Sequence, residues 1–202
     1  ELQHSYRFKD TEGIGKFSKE VISGNISDLE TYKNLYQHGE RVLIYPEYKG
    51  KLVDSQIDFY LEYLNEKDIQ KALEKLNRIR ILCGVRQGQF GVNEYNAYCE
   101  SYLKKKGELR PTQGFYHNQP IMVTKNNKAL KLYNGDIGII RLGENGKLQA
   151  YFEDIECGVR SVLPGYIIDY NTVFAMTIHK SQGSEFDQVV VILPDDADLP
   201  VL

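Results

Sequence analysis

A chain of 202 residues can bury a sizeable core, as one large domain or as a domain with a smaller one inserted. Its 42% hydrophobic and 26% charged residues are ordinary for a soluble globular protein, and no apolar run approaches the roughly 20 residues that span a bilayer. A formal charge of −3 excludes a globally basic surface, so any nucleic-acid site must be a local groove. Cys83, Cys99 and Cys157 are odd in number and form no C-x-x-C, which suits a reducing cytosol and argues against a zinc site.

Ile14, Phe17, Val21 and Ile22 repeat on one helical face and stop at Gly24. Ser27 to Glu30 has the Ser-x-x-Glu form of a capping box, and Leu29, Tyr32, Leu35 and Tyr36 predict a second helix behind it. Residues 41–45 read as a strand closed by Pro46. Two helical stripes follow, Ile57, Tyr60, Leu61, Leu64 and then Ile69, Ala72, Leu73, Leu76. Residues 79–85 predict a strand, and Val92, Tyr95, Cys99, Tyr102 and Leu103 stripe the helix after it. Strands alternating with helices imply a parallel sheet of RecA-like or Rossmann-like type.

Near Gly114 the periodicity changes. From Gln119 to about Ile168 only short β runs occur, divided by Asn134-Gly135, Asn145-Gly146, Gly158 and Pro164-Gly165. The expectation is four or five antiparallel strands in a small closed or half-closed barrel inserted into an α/β domain. Residues 173–177 and 189–193 then read as two buried strands of the parallel sheet. Between them Thr177, His179, Lys180, Ser181, Gln182, Gly183 and Glu185 crowd hydroxyls, an imidazole, an ammonium, an amide and a carboxylate onto one rim loop. Open α/β sheets place ligands at such rims, and no core needs that set.

Thr177 to Phe186 resembles motif V of superfamily 1 helicases in the form carried by the RecD branch. Leu2 to Phe8 is similar to motif IV, and residues 82–93 and 132–138 also resemble RecD segments. The resemblance implies a RecA-like helicase domain, 2A, over residues 1–115 and 170–202, with an SH3-like β-barrel, 2B, inserted at 116–169. It implies that Arg7 reaches the γ-phosphate of ATP, that Gln3, Gly183 and Glu185 lie on the nucleotide side, and that Thr177, His179, Lys180 and Ser181 face DNA. A basic hairpin carrying Lys125, Lys128 and Lys131 is a candidate strand-guiding surface, and Phe115 and Tyr116 are candidate stacking aromatics.

Phosphoryl transfer needs a phosphate-cradling loop and Mg²⁺, and the sequence contains no G-x-x-x-x-G-K-[ST]. Gly13-Ile14-Gly15-Lys16-Phe17 is a decoy, with Phe where the Mg²⁺-binding hydroxyl belongs. The expectation is therefore a C-terminal motor fragment that stops before motif VI. It would complete an ATP and Mg²⁺ site with the N-terminal motor domain of the same protein, and it would bind neither ATP nor metal alone. Further expectations are 5′→3′ translocation on single-stranded DNA, RecB-like and RecC-like partner subunits, no membrane, and a cytoplasmic location. Two alternatives stand beside this reading: a stand-alone RecD-like or conjugative-type helicase, and a non-motor DNA- or protein-binding adaptor.

Overall fold

The structure is a computed structural model that describes residues 13–24, 36–37, 40–42, 51–143 and 145–194. Two compact units divide the chain, residues 1–50 and 51–202. In the first unit, α1 (Gly13–Ser23) ends where Gly24 turns to a φ of +70° and donates its N–H to the Val21 carbonyl. Strands β1 (Tyr36–Gln37) and β2 (Glu40–Arg41) pair antiparallel, Tyr36 opposite Arg41. Tyr36 is thus in a strand and not in the helix expected from its spacing to Tyr32. The expected capping box, the rest of the 41–45 run, Gln3 and Arg7 lie outside the described residues.

The second unit opens with α2 (Lys51–Ile57), which runs through a 3₁₀ turn at Asp58–Tyr60 into α3 (Leu61–Leu64). Asp68 caps α4 (Ile69–Leu76) by accepting the Lys71 N–H at 2.9 Å, and the helix buries Ala72, Leu73 and Leu76, the face its periodicity predicts. Next come β3 (Ile79–Cys83), buried at every residue, and α5 (Val92–Lys105). β3 is the centre of a three-stranded parallel sheet, flanked by β9 (Ala175–Thr177) on one side and β10 (Gln188–Ile192) on the other. Ile57, Tyr60, Leu73, Ile81, Tyr95 and Cys99 share one core around it.

Between α5 and β9 lies a five-stranded antiparallel sheet: β4 (Pro120–Val123), β5 (Ile137–Leu142), β6 (Leu148–Asp154), β7 (Gly158–Val162) and β8 (Tyr170–Thr172). Its order is β7-β6-β5-β4-β8, so β7 and β8 are its two edges, and no pair between them is found among the described residues. Asn145-Gly146 sits at the β5–β6 turn as expected, with Gly146 at φ +71°. Asn134-Gly135 does not. β4 and β5 are joined by the longer loop 124–136, which contains a 3₁₀ turn at Lys128–Leu130, and Gly135 only turns the chain back toward Val123.

Buried polar side chains bolt this sheet to the α/β layer. Arg141 of β5 donates to the Tyr63 carbonyl at 2.6 Å and the Glu66 carbonyl at 3.0 Å, where α3 ends. The Tyr63 hydroxyl donates back to the Asn118 carbonyl at 3.0 Å. Arg80 of β3 is wholly buried and donates to the carbonyls of Val173 and Leu76 and to Asn77 Oδ1. Burial holds both guanidinium groups below the usual arginine value, and neutral carbonyls take the place of a counter-ion. One sequence expectation needs correction here: β10 is only partly buried, since Val189 and Val191, on one face, remain 45% and 52% exposed while Ile192 is buried and Val190 packs against the core.

Candidate nucleic-acid interface

β9 ends at Thr177, level with Cys83 of β3. Thr177 then caps a 3₁₀ turn over Ile178–Ser181, its hydroxyl oxygen accepting the Lys180 N–H at 3.4 Å. The Ser181 hydroxyl donates to the Ile178 carbonyl at 2.8 Å. Ile178 packs against the cluster of Leu82, Met122, Val173 and Met176, which anchors the turn while His179 and Lys180 stand exposed. The sequence alternation thus has a local cause: one apolar residue is the peg, and its polar neighbours are displayed.

The second half of the loop goes elsewhere. Gly183 takes φ +85°, a left-handed conformation that side chains resist, although a Cβ there would meet nothing within 4 Å. The chain then runs back to the start of β10, where the Arg78 carbonyl accepts from the N–H groups of Asp187 and Gln188. Arg78 Nε also lies 2.9 Å from Asp187 Oδ2. The Arg80 guanidinium lies 5.5 Å from the centroid of the Phe186 ring.

Glu185 lines a cavity of about 320 Å³ with Asn77, Asp136, Glu153, Ser184 and Phe186. So the loop has two ends. Thr177 to Ser181 lie at the carboxyl ends of the parallel strands, and Glu185 lies near their amino ends, five β3 residues away, on the order of 15 Å.

Lys180 is held below the ordinary lysine value, first by partial burial and second by the Arg86 guanidinium nearby. Arg86 belongs to the loop between β3 and α5 and is exposed. It falls within residues 82–93, which resemble a RecD segment, but that resemblance does not mark it as a site residue. What could have done so is its position three residues past the end of a buried strand, among glycines at 84, 88 and 91.

Lys125 and Lys128 are exposed on the β4–β5 loop, as is Lys131 at φ +51°. The loop is pinned from below by Arg160, which donates to the carbonyls of Leu130 and Lys131 at 2.6 and 2.7 Å. Tyr133, 53% exposed beside these lysines, lies in the 132–138 segment that resembles RecD but is not among the candidate stacking aromatics. Its loop continues into Gly135, Asp136 and Ile137, which line the Glu185 cavity, so the basic loop and the rim loop are neighbours.

Tyr116, a candidate stacking residue, is instead core. It is 4% exposed and its hydroxyl pairs with Glu100; burial first, and Glu100 second, raise its pKa. Phe115 stacks on Tyr170 at 4.4 Å and packs against the antiparallel sheet's core. Among the described residues no three His, Cys, Asp or Glu side chains gather to hold a metal ion, and no helix is long and apolar enough to cross a membrane.

The model of the UvrD-like helicase C-terminal domain matches residues 172–201, the segment that contains the rim loop. RecBCD enzyme subunit RecD of Haemophilus influenzae is 33% identical over the whole chain, which covers 34% of that protein. RecBCD enzyme subunit RecD of Buchnera aphidicola subsp. Schizaphis graminum is 30% identical over 96% of the chain and 34% of its own length. The Mycolicibacterium smegmatis protein of the same name is 40% identical over 64% of the chain and 22% of its own. The chain therefore spans about a third of the length of the first of these curated relatives. Over its full length the chain is similar to the RecD subunit, and residues 172–201 match the UvrD-like helicase C-terminal domain.

Proposed function

We propose that this chain is the 2A motor domain, carrying an SH3-like 2B module, of an ATP-driven 5′→3′ DNA helicase. In this reading it serves a RecBCD-type exonuclease V complex with RecB-like and RecC-like subunits in cytoplasmic double-strand-break repair and recombination. The observation that carries the proposal is the turn that begins at Thr177. It exposes an imidazole and an ammonium at the carboxyl ends of parallel strands, in a chain homologous to RecD throughout. Donors of that kind hold phosphate oxygens without reading bases, which is what a motor moving along any sequence requires.

Thr177, His179, Lys180 and Ser181 contact the strand, with Lys125 and Lys128 guiding it further along. ATP with Mg²⁺ supplies the free energy of stepping when bound between this domain and an N-terminal motor domain. Gly183 and Glu185 belong to the nucleotide side. The cavity at Glu185 also bears Asp136 and Glu153, so it repels phosphates and suits hydroxyl donors such as those of a ribose.

His179→Ala in the whole protein tests the reading. Stimulation of ATP turnover by single-stranded DNA should fall by about tenfold or more, with nucleotide affinity unchanged. Stimulation that survives intact would reject the strand-facing turn. Recovery of the tagged protein from cell extract without RecB and RecC homologues would reject the complex.

A further inference from the structure

Arg86 and Lys180 lie near one another beyond the carboxyl ends of two paired strands. Cys83 and Thr177 are partners across the β3–β9 ladder, and each cation sits three residues beyond its partner. Both project from the carboxyl ends of adjacent parallel strands, and both are exposed. Among the described residues neither has a carboxylate within ion-pair distance, although elsewhere Arg78 pairs with Asp187 and Lys106 with Asp58.

The loop that carries Arg86 is tightly built. Val85 bridges to Gly91, the Val92 N–H donates to the Val85 carbonyl at 3.2 Å, and the Asn93 N–H donates to the Arg86 carbonyl at 3.3 Å. A Cβ on Gly91 would stand 2.6 Å from the Gln87 backbone and 2.8 Å from the Arg86 carbonyl oxygen. The backbone of residue 86 is therefore held against the first turn of α5. Two like charges without an ion-pair partner among the described residues repel, and an oxyanion placed between them removes that repulsion.

We propose that Arg86 and Lys180 together clamp one phosphodiester of the translocating single strand, making the β3–α5 loop the second jaw of the interface opposite the Thr177 turn. The inference rests on the strand-binding reading above and extends it to a residue outside motif V. The planar guanidinium can bind one phosphate through two N–H groups, while the ammonium neutralises it from the other side. Because the contact is to backbone, the site is indifferent to base.

The test is fluorescence anisotropy of a labelled oligo-dT with the protein over a range of salt. Variants are Arg86→Ala, Arg86→Lys, Lys180→Ala and the Arg86→Ala/Lys180→Ala pair. Each alanine variant should weaken binding by about tenfold at low salt. The pair should lose less than the product of the two, because both cations hold one phosphate. The slope of log K against log salt should flatten by roughly 0.7 in the pair, the value for one phosphate on a single strand, and Arg86→Lys should restore most of it. Thermal midpoints should not move, since neither side chain supports the core.

Wild-type affinity and slope in Arg86→Ala would overturn the clamp. So would a loss confined to ADP or inorganic phosphate, which would assign the pair to nucleotide. If His179→Ala loses binding while Arg86→Ala keeps it, only the clamp falls. If the unaltered protein fails to bind oligo-dT, the strand reading falls with it.

Discussion

The Tyr60 hydroxyl donates to the Phe174 carbonyl at 2.6 Å, joining the turn before α3 to the residue just ahead of β9. Both groups are fully buried, and the two rings also meet edge to face at 5.2 Å. Tyr60→Phe keeps the ring and orphans a buried carbonyl, which should cost about 1–3 kcal/mol. Urea unfolding should show a lower midpoint with an unchanged m-value; an unchanged midpoint would mean that the carbonyl finds another donor.

Gly138 is tight for a different reason. It pairs with Phe152 across β5 and β6, and a Cβ there would lie 2.6 Å from the Phe152 ring and 2.7 Å from the Tyr151 carbonyl oxygen. Gly138→Ala should destabilise the protein by roughly 1–3 kcal/mol through overpacking. Gly165→Ala, where nothing lies within 4 Å, serves as the control and should be near neutral in thermal unfolding.

His117 Nδ1 accepts the Leu142 N–H at 3.0 Å, a bond only the neutral imidazole can make. Partial burial, and secondarily the Arg141 charge, hold its pKa below 6.5 in the folded state. In the window between that lowered value and 6.5 the unfolded chain binds more protons, so stability falls as pH drops through it and levels off below. Denaturant midpoints between pH 7.5 and 5 should therefore decline more steeply in the wild type than in His117→Asn. Parallel curves would remove the assignment.

Cys83 and Cys99 are buried, and burial raises both thiols, Cys83 to about 12. Cys157 is exposed, its thiol raised chiefly by the Asp154 carboxylate. Ellman's reagent should titrate one thiol in the native protein, faster as pH climbs past 9, and three after denaturation. Cys157→Ser should abolish the native reaction.

Periodicity made the α/β layer legible. The stripes at Ile57, Tyr60, Leu61, Leu64 and at Ile69, Ala72, Leu73, Leu76 read as helices because each alternates with water-facing residues, and the helices are there. The antiparallel run was legible as strands, but its turns were only partly so. Asn134-Gly135 reports a local reversal, and whether that reversal is a hairpin tip depends on Asn126 reaching Asn134 and Arg160 holding Leu130, contacts distant in sequence. Arg80 looks like a strand-surface residue until its carbonyl partners at Val173 and Leu76 are known. In the rim loop the motif marked which residues are polar. It did not mark that Ile178 pegs one end while Glu185 turns toward a cavity at the other.

The pairing of Ile81 with Ala175 has a consequence for how the molecule comes into being. On the ribosome β3 emerges long before β9, and the whole antiparallel sheet is made in the interval. Hairpins such as β5–β6 can zip within microseconds of synthesis, whereas the central ladder must await closure of a very large loop, the slow kind of contact. The turn displaying His179 is thus among the last features to take shape. A nascent chain can set this exposed turn only after the sheet between β3 and β9 has been made.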